Sequence, residues 1–68
     1  MNLRENIKRF RENKGYSQTA LAKRIGVSPG LIGAIELGTK VPSLNVIFAL
    51  AKEFNCTLNE LVGVDKPA

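Results

Sequence analysis

The side chains of this chain that could do chemistry are mostly cationic. Its 68 residues hold ten Lys/Arg and six Asp/Glu, for a net charge of +4 at pH 7. Seven of these cations lie in residues 1–34 against two acids, whereas residues 35–68 hold three cations and four acids. A one-sided basic surface attracts polyanions such as nucleic acid, although solvated lysines give a similar composition. Charge alone therefore leaves nucleic-acid binding and an ordinary solvated surface both open.

Side chains suited to catalysis or metal binding are sparse. The chain has no histidine and one cysteine, Cys56, so it has no Cys/His cluster with zinc-site spacing and cannot form an internal disulfide. It also has neither a glycine-rich phosphate loop nor paired carboxylates in an arrangement suited to catalysis. The sequence therefore predicts no enzyme, no metal site and no cofactor. We interpret Cys56 as a packing residue rather than a redox sensor.

The length of the chain predicts one domain, because 68 residues can bury only one small core. No apolar run approaches the roughly 20 residues that span a bilayer. The first eleven residues are charged and interrupted, unlike the apolar segment of a signal peptide. We therefore expect a cytoplasmic protein without a membrane partner.

Capping residues divide the chain into five predicted helices joined by short turns. Small polar residues precede the apolar-periodic stretches, and Gly or Asn follows them. The predicted N-caps are Asn2, Ser17, Ser28, Ser43 and Thr57, and the predicted ends are Gly15, Gly26, Gly38, Asn55 and Gly63. Asn2 with Glu5, and Thr57 with Glu60, match the capping-box pattern. The fold class is therefore all-α, with a helical domain over residues 1–63 and a flexible C-terminal tail over residues 64–68.

The fourth predicted helix carries the widest apolar face and is expected to form the centre of the core. Its apolar positions are Leu44, Ile47, Phe48, Leu50, Ala51 and Phe54.

Residues 18–37 meet several restrictions that have separate physical causes. Two helices that cross steeply through a short turn need a small residue at their close approach, here Ala22, and a residue with positive φ in the turn, here Gly26. The space between them must be filled by apolar side chains. Those side chains are Leu21, Ile25, Val27, Ile32 and Ile35. The stretch therefore predicts a helix-turn-helix.

Recognisable motifs extend to both sides of this stretch. They are Arg-Glu-Asn-Lys-Gly-Tyr-Ser-Gln at 11–18, Gly-Val-Ser at 26–28, Ile-Glu-Leu-Gly at 35–38, Pro-Ser-Leu at 42–44 and Leu-Ala-Lys-Glu-Phe-Asn-Cys-Thr-Leu-Asn-Glu-Leu at 50–61. With these motifs the chain resembles the phage-repressor or Cro-like (Xre-type) helix-turn-helix family. The resemblance implies a compact five-helix repressor-like domain that binds double-stranded DNA. It further implies a dimeric transcriptional regulator, expected to be a repressor, with helix 3 (residues 29–37) in the major groove.

The resemblance also implies a set of residues that contact DNA phosphates. Gln18 occupies the family's phosphate-contacting position at the start of helix 2, where the helix N-terminus also favours an anion. Arg11 and Glu36 match a pair that links helix 1 to the end of helix 3 and orients the guanidinium toward a phosphate. Thr39, Lys40 and Asn45 match further phosphate contacts. For Gln18 the alternative is a polar residue that merely suits the first turn of a helix. For Arg11, Glu36 and Lys40 it is an ordinary solvated charge.

The positions of helix 3 that face bases in the family are unusual here. They are Ser28, Pro29, Gly30, Leu31, Gly33 and Ala34. Only Ser28 can hydrogen-bond a base edge, and no Arg–guanine or Gln–adenine contact is available. Reading of sequence would therefore depend on Ser28, on apolar contact with thymine methyls, on close backbone approach at the glycines, or on DNA shape. Otherwise the specificity would be weak.

Leu58, Leu61 and Val62 of helix 5 have two possible roles. The family often pairs its last helix across a two-fold axis, which makes these residues a candidate dimer interface, but they could equally be core. A different function also stays open. The smooth surface of helix 3 would suit a protein-interaction module that keeps this fold and binds little DNA.

Overall fold

A computed structural model describes residues 3–63, which form five α-helices and no strand. The helices are α1 (Leu3–Asn13), α2 (Gln18–Ile25), α3 (Pro29–Leu37), α4 (Leu44–Phe54) and α5 (Leu58–Val62). The all-α class and the order of the five helices are as predicted. Two predictions lie outside the described residues, namely the N-cap at Asn2 and the tail over residues 64–68.

Local capping explains where α2 to α5 begin and end. The side chains of Ser17, Ser28, Ser43 and Thr57 each accept a hydrogen bond from the backbone N–H three residues later. Each helix then ends at a residue in the left-handed region, namely Gly26, Gly38, Asn55 and Gly63. The capping box of Thr57 and Glu60 is complete. These boundaries were predicted from the sequence because each depends on residues within one turn of the helix end.

The core is shared by all five helices. Its buried hydrophobic residues are Ile7, Leu21, Ala22, Ile32, Ile35, Leu50, Ala51, Phe54 and Leu61. Phe10 and Phe54 stack with their ring centroids 5.4 Å apart, which joins α1 to α4. Leu61 is fully buried. Leu61 is therefore a core residue and not part of a dimer interface, because a side chain enclosed in its own core cannot also contact a partner.

The apolar face of α4 is wider than the core that it covers. Leu50, Ala51 and Phe54 are buried, but Leu44 and Phe48 are 63% and 49% exposed. The expectation that the whole face belongs to the core is therefore wrong for these two residues, which lie one turn apart on the helix surface.

A buried amide fixes α1 against α5. Asn6 is almost fully buried, and its Nδ2 donates to the carbonyl of Leu61 at 3.0 Å. Its Oδ1 accepts from Nη2 of Arg9 at 3.2 Å. Both polar ends of the side chain are thus satisfied, as a buried amide requires.

A second polar cluster joins the turn before α2, α2 itself and α4. The Tyr16 hydroxyl donates to Oε2 of Glu53 at 2.7 Å, and Arg24 pairs with the same oxygen. The Arg24 guanidinium lies 5.5 Å from the centroid of the Tyr16 ring. The hydrogen bond from Tyr16, followed by that from Arg24, lowers the pKa of Glu53.

Candidate nucleic-acid interface

The α2–turn–α3 unit has the geometry predicted for residues 18–37. Gly26 has φ 78°, and the N–H groups of Gly26 and Val27 both donate to the carbonyl of Ala22, at 2.9 and 3.0 Å. Ser28 then caps α3, and Pro29 occupies its first turn, where a missing N–H is tolerated. Only three residues separate the two helices. Ala22 is fully buried where they pack together, as expected for a small residue at a close approach.

Arg11 and Glu36 form the predicted pair between α1 and α3. The guanidinium donates from Nε to Oε2 at 2.7 Å and from Nη2 to Oε1 at 3.1 Å. Its Nη1 donates to the Tyr16 carbonyl at 2.7 Å, so the same side chain also fixes the turn before α2. The hydrogen bond to Glu36 raises the pKa of Arg11. This bidentate ion pair orients α3 relative to α1.

The ion pair leaves little of the Arg11 side chain accessible. The side chains of Arg11 and Glu36 are only 11% and 6% exposed. A guanidinium that is nearly enclosed and already bound to a carboxylate and a carbonyl has little surface left for DNA. The ion pair therefore fixes the position of the guanidinium, and the phosphate contact of Arg11 stays a prediction.

Gln18, the first residue of α2, is exposed and joins the same network. Its Nε2 donates to Oε1 of Glu36 at 3.1 Å. Glu36 thus accepts hydrogen bonds from both Arg11 and Gln18. Sequence reasoning found each of these residues but missed the contact between Gln18 and Glu36. No sequence signal could have shown it, because the two positions are 18 residues apart and belong to different helices.

Arg4 provides a second link from α1 to α3 that the sequence did not reveal. Its Nη1 donates to the carbonyl of Leu37 at 3.0 Å, which places a positive charge at the C-terminal end of the helix. The neighbouring Gly38 has φ 91°, and a Cβ at this position would overlap Nη1 of Arg4. Gly38 is therefore favoured by its backbone conformation, whereas the end of the flexible Arg4 side chain could move aside for a Cβ.

The outer face of α3 presents little hydrogen-bonding capacity. Ser28, Pro29 and Gly30 are exposed, whereas Gly33 and Ala34 are half-buried. Oγ of Ser28 accepts from the Leu31 N–H at 3.3 Å, which leaves its hydroxyl hydrogen available as a donor. Among the predicted base-facing positions, Ser28 is thus the one residue whose side chain can hydrogen-bond a base.

Leu31 has a different environment from the one predicted for a base-facing residue. It is half-buried and packs against the core. Only part of its side chain is therefore accessible for contact with a thymine methyl group.

The loop after α3 and the first turn of α4 hold the remaining predicted phosphate contacts. Thr39, Lys40 and Asn45 are all exposed. The Thr39 hydroxyl donates to the carbonyl of Ala34 at 3.2 Å, and the N–H groups of Thr39 and Lys40 donate to the same oxygen. Thr39 is thus part of the cap of α3, whereas Lys40 and Asn45 present their side chains to solvent.

A shallow cavity of about 310 Å³ lies between the start of α1 and the loop after α3. Among the lining residues that the structure describes, Arg4 and Lys40 are charged. Within residues 3–63 no group of His, Cys, Asp or Glu is arranged to hold a metal ion. Over the same range, none of the helices has the length and hydropathy of a bilayer-spanning segment.

Comparison with known proteins identifies the family. A family model described as helix-turn-helix matches residues 7–61. The chain belongs to the helix-turn-helix family. This helix-turn-helix protein is 38% identical over 60 residues to YazB, an HTH-type transcriptional regulator of Bacillus subtilis, with 88% of the chain and 87% of YazB covered.

Two solved structures closely resemble the helix-turn-helix protein described above. One is the P22 c2 repressor in complex with a synthetic operator, with a TM-score of 0.86, 29% identity, and coverage of 96% of this chain and 98% of the repressor chain. The other is the restriction-modification controller protein C.AhdI of Aeromonas hydrophila, with a TM-score of 0.81, 30% identity, and coverage of 87% and 89%. These likenesses confirm the resemblance and the repressor-like fold predicted from the sequence.

Proposed function

We propose that this protein is a DNA-binding transcriptional regulator that represses by placing α3 in the major groove. The observation that carries this proposal is the α2–turn–α3 unit, which Arg11 and Glu36 hold in a fixed orientation against α1. The likeness to a repressor bound to its operator supports it, because that likeness extends over 96% of the chain. A DNA target in turn favours a location in the cytoplasm.

The phosphate contacts that we propose are Gln18, Lys40 and Asn45, with a weaker contribution from Thr39. All four side chains are exposed. Gln18 donates one hydrogen of its amide nitrogen to Glu36 and keeps the second hydrogen for an acceptor on DNA. Contacts of this type position the protein on the duplex and carry no sequence information themselves.

Base reading is proposed to be limited. Ser28 can donate its hydroxyl hydrogen to a base edge, whereas Pro29, Gly30, Gly33 and Ala34 offer only backbone and apolar surface. The flat surface of the first turn allows the helix backbone to approach the bases closely. We therefore expect DNA shape and thymine methyl groups to determine much of the preference for an operator.

A dimer is part of the proposal because two copies of α3 contact two half-sites, which doubles the number of weak base contacts. In such a complex the two copies of α3 would occupy half-sites about 34 Å apart on one face of the duplex. Leu58 and Val62 remain candidates for the interface, since Leu58 is 36% exposed and Val62 is half-buried. Leu61 is excluded from that role by its complete burial.

A second candidate function, protein binding with little DNA affinity, is favoured by one observation. Four large apolar side chains at the end of α3, in the following loop and on α4 are strongly exposed, namely Leu37, Val41, Leu44 and Phe48. Exposed apolar side chains of this size suit a protein surface better than a phosphate backbone.

The experiment that separates the two functions measures binding to a pool of random-sequence duplexes by fluorescence anisotropy at about 50 and 200 mM salt. The retained duplexes are then sequenced. Salt-sensitive binding with enrichment of a palindrome supports a specific dimeric regulator, and salt-sensitive binding without enrichment would contradict sequence reading. No binding at either salt concentration would favour the protein-binding function.

A further inference from the structure

Two glycines lie inside α3, at positions that differ in their surroundings. Glycine within a helix is destabilising relative to alanine, so each one calls for a physical reason. A Cβ built on Gly30 meets no atom within 4 Å. A Cβ built on Gly33 lies 3.3 Å from Oε1 of Gln18, 3.8 Å from its Cδ and 3.9 Å from its Nε2. Only Gly33 therefore leaves space that a neighbouring side chain uses.

The amide that fills this space has a fixed orientation. Nε2 of Gln18 donates to Oε1 of Glu36 at 3.1 Å, and a carboxylate can only accept a hydrogen bond. The nitrogen must therefore face Glu36, which places Oε1 toward Gly33. Glu36 cannot follow a displaced amide, because two hydrogen bonds from Arg11 hold its carboxylate.

A methyl group at position 33 would push the Gln18 amide away from α3. The 3.3 Å contact to Oε1 is tight, so the amide must move by a few tenths of an ångström. Such a shift lengthens the hydrogen bond to Glu36 beyond its favourable range. The remaining N–H of Gln18 would then lose the orientation that Glu36 gives it.

We propose that Gly33 is a positioning residue for DNA binding, because its missing side chain leaves the space in which Glu36 holds the Gln18 amide with one N–H free for a phosphate. This inference rests on the proposed function, since the phosphate contact of Gln18 is part of that proposal. It assigns Gly33 a role that Gly30 does not share, although both lie on the same helix.

The test combines Gly33→Ala with Gln18→Ala and measures the Kd for one duplex by fluorescence anisotropy. Gly33→Ala is expected to weaken binding about fivefold, the order given by loss of one hydrogen bond. In the Gln18→Ala background the same substitution is expected to have almost no effect. Equal losses in both backgrounds would mean that the methyl group acts on DNA or on the fold directly, and would overturn the inference, as would the absence of any loss.

A second readout does not depend on DNA. In NMR spectra of the free protein, the Gln18 side-chain amide protons are expected to shift toward the positions of a free glutamine in Gly33→Ala and to stay in place in Gly30→Ala. Unchanged Gln18 resonances in both variants would overturn the inference. If the unmodified chain binds no DNA at all, the proposed function fails, and with it the DNA role of Gly33, whatever the amide resonances show about packing.

Discussion

Replacing Glu36 by Gln removes the charge that holds α3 to α1 while nearly preserving the size of the side chain. Breaking a buried ion pair by removing one partner costs about 3–5 kcal/mol, whereas an exposed pair contributes about 0–1 kcal/mol. The Arg11 and Glu36 side chains are 11% and 6% exposed, and Arg11 keeps its hydrogen bond to the Tyr16 carbonyl. We therefore expect Glu36→Gln to lower the free energy of unfolding by about 2–3 kcal/mol, a large share of the stability of so small a domain.

The assay is urea denaturation followed by far-ultraviolet circular dichroism, with Glu12→Gln as the matched control. Glu12 approaches the same arginine at 3.9 Å, but its side chain is 58% exposed. The control is expected to change the free energy of unfolding by less than about 0.5 kcal/mol. The double variant Arg11→Met/Glu36→Gln leaves no unpaired buried charge. Its loss in the free energy of unfolding should therefore be smaller than the sum of the losses of the two single variants. A loss in Glu36→Gln no larger than in the control would refute the reasoning.

Three further predictions concern the fifth helix and the effect of acid. Leu61→Ala should lower the free energy of unfolding by about 2–5 kcal/mol in a urea titration, because Leu61 is fully buried. Leu58→Glu should leave the fold intact and yield monomers in analytical ultracentrifugation, and an unchanged dimer would exclude this residue from the interface. The lowered pKa of Glu53 means that the folded protein favours its charged carboxylate, which stabilises the fold at pH values above the ordinary glutamate pKa of 4.5. The free energy of unfolding should therefore fall as the pH drops below 4.5 and the carboxylate is protonated. Glu53→Gln should flatten this dependence in thermal melts.

The features predicted correctly from the sequence are those determined by neighbouring residues. The caps at Ser17, Ser28, Ser43 and Thr57 need only a side chain and a backbone N–H three residues away. Gly26 ends α2 for an equally local reason, its positive φ. The periodic apolar residues of residues 18–37 likewise form the buried contact between α2 and α3 that their spacing predicted.

The features that the sequence did not reveal join residues far apart in the chain. Arg4 reaches the Leu37 carbonyl over 33 positions. The space that Gly33 leaves for Gln18 depends on how α2 crosses α3, which no local pattern specifies. The helical spacing of the apolar residues in α4 showed that they share one face of the helix, but not which part of that face another helix covers. For that reason Leu44 and Phe48 were wrongly expected in the core.

The choice between core and dimer interface in α5 has a similar cause. Leu58, Leu61 and Val62 share the apolar character that either role needs. The packing of α5 against α1 and α4 distinguishes the enclosed Leu61 from the more accessible Leu58, and the hydrogen bond from Asn6 to the Leu61 carbonyl fixes α5 against α1.

The central claim, that α3 enters the major groove, is tested most directly by following the backbone amide resonances of the protein during titration with a duplex enriched from the random pool. The largest shift changes are expected over residues 28–34, with further changes at Gln18 and Lys40. Changes confined to the surface around Leu44 and Phe48, or no changes at saturating duplex, would contradict it.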